Sequence, residues 1–224
     1  MEAEKMFKKE QEIYQRLVND NPKAYESYVA TTLNNLALLY SDTQRFTEAE
    51  DMYKQALEIR QHLAKDNSKA YEPYVAATLN NLAILYYKTQ RLMEAEKMFK
   101  KEQEIYQRLV NDNPKAYESY VAAMLNNLAL LYSNIQRFTE AEEMYKQALE
   151  IRQRLANDNP KAHEPDVAMT LCNLGVLYYV NMNKQDEGKV LFHKALEYYR
   201  RLAVNNPTAY QQKIETLESI LVGE

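Results

Sequence analysis

The chain has 224 residues, 46% of them hydrophobic and 27% charged, with 28 Lys and Arg against 32 Asp and Glu, a formal net charge of −4. This is the composition of an ordinary globular protein. With no basic excess to neutralise phosphates, nucleic acid is not an expected partner, and three Gly and six Pro exclude collagen-like and linker-rich chains. One cysteine, Cys172, supplies neither a disulfide framework nor a cysteine zinc site and fits a reducing, cytoplasmic setting. No apolar run reaches the length of about 18 residues that a membrane span needs.

The first ten residues, MEAEKMFKKE, are amphipathic and charged and lack the apolar stretch of a signal peptide. They also lie inside a repeat, so Met1 reads as a boundary of this chain rather than a natural start of the array. The string LNNLALLY begins at Leu33, LNNLAILY at Leu79, LNNLALLY at Leu125 and LCNLGVLY at Leu171, a spacing of 46 each time. A longer period overlies it: residues 1–30 are identical to 93–122, and 31–92 closely resemble 123–184. Agreement at an offset of 92 therefore reflects duplication. Agreement at 46, between more diverged units, is the better guide to physical requirement.

Taken in order, residues 1–20 form a helix with an apolar face over 3–18 that has no earlier partner in the chain. Helix pairs are expected over 22–66, 68–112, 114–158 and 160–205, and a capping helix over 207–221. The pairs open at Asn21-Pro22, Asn113-Pro114 and Asn159-Pro160, with Asn206-Pro207 before the last helix and Asn67-Ser68 as the one variant. Asn suits the N-cap and Pro the first helical position. In the first pair Val29, Leu33, Leu36, Ala37 and Tyr40 share one helical face, a break falls at Thr43-Gln44-Arg45, and Ala49, Met52, Tyr53, Ala56, Leu57 and Leu63 line the second helix. No single hairpin buries such a face, so neighbours stack.

Leu36, Ala37, Tyr40, Ala49, Tyr53 and Ala56 carry the spacing of the tetratricopeptide repeat. The pattern returns as Leu82, Ala83, Tyr86, Ala95 and Phe99, as Leu128, Ala129, Tyr132, Ala141, Tyr145 and Ala148, and as Leu174, Gly175, Tyr178, Gly188, Phe192 and Ala195 with one extra residue in its turn. The chain resembles this family over nearly its whole length. Its LNNLA strings and 46-residue period, against the usual period of about 34, are most similar to the kinesin light chain-like subclass. The resemblance implies an all-α, right-handed solenoid of antiparallel helix pairs, about ten helices in one domain over 1–224. It departs at Glu10 and Glu102, where a small residue is wanted. A carboxylate there must reach solvent, find a partner or open the packing.

The face opposite the packing stripe of the first helix, at about 100° per residue, holds Tyr28, Thr31, Asn35, Leu38 and Asp42. By resemblance, first helices line a concave surface that binds peptides. Asn35, Asn81, Asn127 and Asn173 occupy one position in every unit, although Asn is a poor helix-interior residue. One reading is an amide ladder that grips an extended peptide backbone; the other is amides that bridge neighbouring helices. Asn34, Asn80 and Asn126 should edge the groove, with Cys172 in the fourth copy. Tyr28, Tyr74 and Tyr120, followed by Asp166, form either an aromatic rail or packing between first helices. For Leu38, Ile84, Leu130 and Val176 packing is expected, because four exposed aliphatics would be costly.

Asp42, Lys88, Asn134 and Val180 share a position where only Lys88 is cationic, which disfavours an acidic or phosphorylated ligand. His62, His163 and His193 are dispersed and no nucleophile, metal-ligand set or phosphate loop converges, so no enzyme and no cofactor are expected. Cys172 reads as a buried small apolar residue, and the Glu and Lys of the second helices as a solvated face. The expected function is a scaffold that binds a peptide or protein segment. The alternative is a self-assembling module that forms a homo-oligomer through its repeat ends.

Overall fold

The computed structural model describes residues 2–222, with the side chain of Lys23 left out; Met1, Gly223 and Glu224 lie outside the described residues. The described residues form ten α-helices and no strand: α1 (Glu2–Asp20), α2 (Pro22–Asp42), α3 (Phe46–Asp66), α4 (Ser68–Lys88), α5 (Leu92–Asp112), α6 (Pro114–Asn134), α7 (Phe138–Asp158), α8 (Pro160–Val176), α9 (Gln185–Ala203) and α10 (Pro207–Val222). They fall into two compact units, residues 1–114 and 115–224. In the first, each helix packs on the next, α1 through α5. In the second, Met124 and Leu125 of α6 pack on Ala148 of α7. There α7 meets α8, α8 meets α9 and α9 meets α10.

The stripe on the first helix is the core. Val29, Leu33, Leu36, Ala37 and Tyr40 are all buried, as are Ala49, Tyr53, Ala56 and Leu63 of the second helix, while Met52 and Leu57 are half-buried. Ala37, Ala49, Ala83, Ala95, Ala129 and Ala141 are fully inaccessible. In the last pair glycines replace them. A Cβ on Gly175 would stand 2.6 Å from the Phe192 ring, and one on Gly188 would stand 2.8 Å from Tyr179 Cβ. Here the helices come closer than alanine allows.

The helix starts differ from expectation in one respect. Pro at the first position holds, but the Asn21 and Asn159 side chains make no cap bond. Their carbonyls instead accept from the amides of Ala24 and Ala162 at 3.2 Å. Asn67, which precedes Ser68 rather than proline, does accept through its side chain, from the Ala70 amide. The hairpin turns share one geometry. Gln44, Gln90 and Gln136 sit at φ 60–63°, and the following Arg45, Arg91 and Arg137 amides reach back 2.8 Å to the carbonyls of Tyr40, Tyr86 and Tyr132. This is the six-to-one closure of a helix C-terminus through a left-handed residue. The extra residue of the fourth turn is absorbed in a π-helical turn, Leu177–Asn181, and Asn183 takes the left-handed place.

Successive pairs are stapled at these turns. The Tyr40 hydroxyl donates to Glu4 at 3.2 Å, Tyr86 to Glu50 at 2.9 Å and Tyr178 to Glu142 at 2.7 Å. The cation of the turn lies over the same tyrosine, Arg45 at 4.1 Å, Arg91 at 4.3 Å and Lys184 at 4.7 Å, and pairs with the same glutamate. Hydrogen bonds from Lys8 and Arg45 hold the Glu4 carboxyl at about 2. Burial pushes Glu142 upward, but bonds from Lys146, Tyr178 and Lys184 outweigh it and leave that carboxyl at about 2.

Glu10 and Glu102 part company. Glu10 is half-buried on α1. Glu102, on α5, is only 3% exposed, and its Oε2 has no hydrogen-bond partner among the described residues. Burial raises its carboxyl to about 9, so it is neutral at pH 7. The unfolded chain loses this proton near 4.5 and the folded chain keeps it, so stability falls as pH rises from about 4.5 to 9. At pH 7 the penalty is on the order of 3 kcal/mol. Glu102→Ala, which restores the residue type of Ala56 and Ala148, is expected to raise stability at pH 7 by about 1–3 kcal/mol. It should also flatten the decline between pH 5 and 9 in urea titrations; an unchanged slope refutes the assignment. Gly188→Ala should destabilise by about 1–3 kcal/mol, read as a lower urea midpoint, because neither Tyr179 Cβ nor the Gly175 carbonyl can yield cheaply.

Candidate binding face and the family

On α2 and α4 the face away from the core carries Tyr28 and Tyr74, exposed by 52% and 54%, and on α6 it carries Tyr120 at 55%. Their neighbours differ. Tyr28 stacks on Tyr14 of α1 with ring centres 5.2 Å apart and an interplanar angle of 18°. Tyr74 lies beside the Arg60 guanidinium at 5.5 Å, and Tyr120 tilts against Tyr117 at 6.5 Å. The expected packing of the aliphatic row is corrected. Leu38, Leu130 and Val176 are exposed by 48%, 41% and 45%, and only Ile84 is half-buried. The reason is geometric. The packing partner of each first helix is a second helix, and α2 meets α4 far less extensively than it meets α3.

Asn35, Asn81, Asn127 and Asn173 are all half-buried. Two of them join neighbouring first helices: Asn81 Nδ2 donates to Asn34 Oδ1 at 3.3 Å, and Asn173 Nδ2 donates to Asn126 Oδ1 at 3.2 Å. Each bond commits one of the amide's two N–H groups. Asn126 is 4% exposed and so lies beneath the surface rather than on a groove edge; Asn34 is half-buried and acts as the acceptor in its bridge. Lys88 is exposed at the C-terminal end of α4, as is Asp42 at the end of α2.

The sequence reading missed the charge under this face because it counted only first helices. Arg60 of α3 is 6% exposed and Arg152 of α7 is 4% exposed. Each reaches a first helix. Arg60 Nη1 donates to Thr78 Oγ1 at 2.6 Å and to the Tyr74 carbonyl at 3.2 Å. Arg152 Nη1 donates to Thr170 Oγ1 and to the Asp166 carbonyl. Burial lowers both guanidinium pKa values, yet arginine stays charged. The signal was present as an alternation at a 46-residue offset: Tyr14, Arg60, Tyr106, Arg152.

Cys172 is half-buried against the cluster of α8, α9 and α10, and burial raises its thiol. Among the described residues no group of three His, Cys, Asp or Glu is placed to hold a metal ion, and no helix is long and apolar enough to cross a membrane.

This fold of paired helices with recurring small residues at the crossing belongs to a known class. The tetratricopeptide repeat family profile matches residues 29–68, 75–114, 121–161 and 167–207, and the chain belongs to that family. It is in general a fold of protein–protein interaction scaffolds. No curated protein matches the sequence. Among solved structures the chain is similar to BtubC (BKLC) from P. vanneervenii, with 26% identity, a TM-score of 0.68, and 96% of this chain and 86% of that one covered. It shares its fold with the kinesin light chain TPR-like repeats of Podosopora anserina (17% identity, TM-score 0.59, 90% and 98% covered). The same holds for MamA 41-end from Desulfovibrio magneticus RS-1 (14% identity, TM-score 0.51, 90% and 97% covered).

The Asn34–Asn81 bridge makes a direct prediction. A double-mutant cycle with Asn34→Ala and Asn81→Ala should give a coupling of about 0.5–1.5 kcal/mol in urea unfolding. Strict additivity would remove the bridge as a stabilising element.

Proposed function

We propose that the chain is a non-catalytic scaffold that binds an extended peptide or protein segment on the faces formed by its first helices. The observation that carries this is the exposed apolar series Tyr28, Leu38, Tyr74, Tyr120, Leu130 and Val176. Within each unit, large apolar side chains left exposed on the first helices suit an interaction face, and tyrosine tolerates one wet end. Beside it run Asn35, Asn81, Asn127 and Asn173, with Lys88 at the end of α4. In this reading Asn81 and Asn173 keep one N–H and the carbonyl for the ligand after their bridges are made. Affinity comes from amide contacts to the peptide backbone, and specificity from the tyrosine and aliphatic positions. A reducing, cytoplasmic setting suits the lone thiol.

A second reading is favoured by α1, where Met6 is 68% and Ile13 is 47% exposed. In this reading that face seats another copy of the chain. It requires a mass that rises with concentration in sedimentation equilibrium.

The groove is tested by selecting binders from a displayed random-peptide library and remeasuring them on a variant with Asn35, Asn81, Asn127 and Asn173 all changed to Ala. Affinity should fall by about tenfold or more, the loss of one or two hydrogen bonds, with helicity retained by circular dichroism. Equal binding by the variant removes the ladder from the mechanism.

A further inference from the structure

Arg60 is a charge the fold does not need. The equivalent position in α1 is Tyr14, which stacks on Tyr28 and completes the same helix contact with no charge at all. Burying a guanidinium without a counter-ion is costly. Arg60 nevertheless forms no ion pair with any described residue; its Nη1 meets two neutral oxygens, and Nε and Nη2 have no hydrogen-bond partner among the described residues. It borders a cavity of about 450 Å³ between α2, α3 and α4, walled by Tyr28, Tyr71 and Tyr74 with Thr31 at the rim. The volume is within the range of small-ligand pockets.

The second unit holds a natural control. Arg152 makes the same pair of bonds, and burial lowers its pKa, but the residue that corresponds to Tyr74 is Asp166, whose negative charge opposes that lowering. One copy of the arrangement carries its own carboxylate, and the other leaves that charge unmatched.

We propose that the Arg60 cavity binds the side-chain carboxylate of an acidic residue in a peptide partner, with flanking apolar groups against Tyr28, Tyr71 and Tyr74. The guanidinium offers Nε–H and Nη2–H as a planar fork, the arrangement that takes a carboxylate through two parallel bonds. A low-dielectric floor strengthens those bonds, and the ligand supplies the missing counter-charge. This deepens the reading of the first-helix face as a peptide site and rests on it. It also reverses the expectation, drawn from the first helices alone, that acidic ligands are disfavoured.

The test is NMR titration of the full chain, following the Arg60 Nε–Hε resonance in the wild type and, in the wild type and every variant, the backbone amides of Ser27, Thr31 and Ala70 at the cavity. Three N-acetylated probes are compared: acetyl-Leu-Glu-Leu-amide, its Gln counterpart, and acetyl-Leu-Leu with a free terminal carboxylate. The Glu peptide should shift the resonance with a Kd of about 1 mM or tighter, and the Gln peptide should bind about tenfold more weakly or less. Arg60→Tyr, which installs the residue type found at Tyr14, should keep the helical spectrum and abolish the preference for Glu. Tyr74→Asp, which copies Asp166, should do the same by neutralising Arg60 internally. Equal binding of the Glu and Gln peptides overturns the carboxylate site and leaves the groove standing. A Glu preference that survives in both variants also overturns it, as does binding of the free-acid probe alone. The groove itself is judged separately by the asparagine variant.

Discussion

No helix of this protein can satisfy its own apolar stripe, and the whole structure follows from that constraint. The solution is a close crossing inside each hairpin, set by residues with almost no side chain. Ala37 with Ala49, Ala83 with Ala95, and Ala129 with Ala141 are fully buried. Gly175 with Gly188 carry the same device further, to a distance at which even a methyl group would collide. Larger residues of the repeat, such as Tyr53, Phe99, Tyr145 and Phe192, then fill the space around the crossing and are almost wholly buried.

Direction between pairs is fixed by a different kind of contact. The Tyr40, Tyr86 and Tyr178 hydroxyls each donate a hydrogen bond to a glutamate of the preceding helix, Glu4, Glu50 and Glu142, and the cation of the turn lies over the ring and pairs with the carboxylate. Exposed ion pairs contribute little singly. The worth of this one lies in geometry, because a hydroxyl, a carboxylate and a ring must coincide. The left-handed Gln44, Gln90 and Gln136 place Arg45, Arg91 and Arg137 over their tyrosines, so turn conformation and staple are one device.

Against this regularity the alternation between units stands out. Where Arg60 and Arg152 replace Tyr14 and Tyr106, a buried cation replaces a ring. Glu102 stands where Ala56 and Ala148 fill the same place without charge. Arg60 opens onto a cavity and is read as recognition, whereas Glu102 Oε2 meets no partner among the described residues and lowers stability. The opposite face leaves Tyr28, Tyr74 and Tyr120 more than half exposed, because the apolar stripe of each of these first helices packs on its other side.

The 46-residue period, the paired helices and the buried stripe were all legible in the sequence, because helical spacing and the small–large alternation are local signals that recur four times. So was the departure at Glu102, though not its outcome. The position of the extra residue near Tyr178 was legible too, but only the structure shows it spent as a π-helical turn. What tertiary structure alone decided is where side chains on different helices meet. Spacing along α2 puts Leu38 on a face, but only the separation of α2 from α4 leaves it exposed. The sequence left Asn81 as either a ladder amide or a bridge between helices and put Asn34 at the groove edge; only the packing of α2 and α4 brings the two amides to 3.3 Å. Arg60 lies on a second helix, eighteen residues before Thr78, and its role depends on reaching beneath a first helix. A periodic pattern determines which face a residue occupies; the distance between two helices is a property of their packing and appears in no single stretch of sequence.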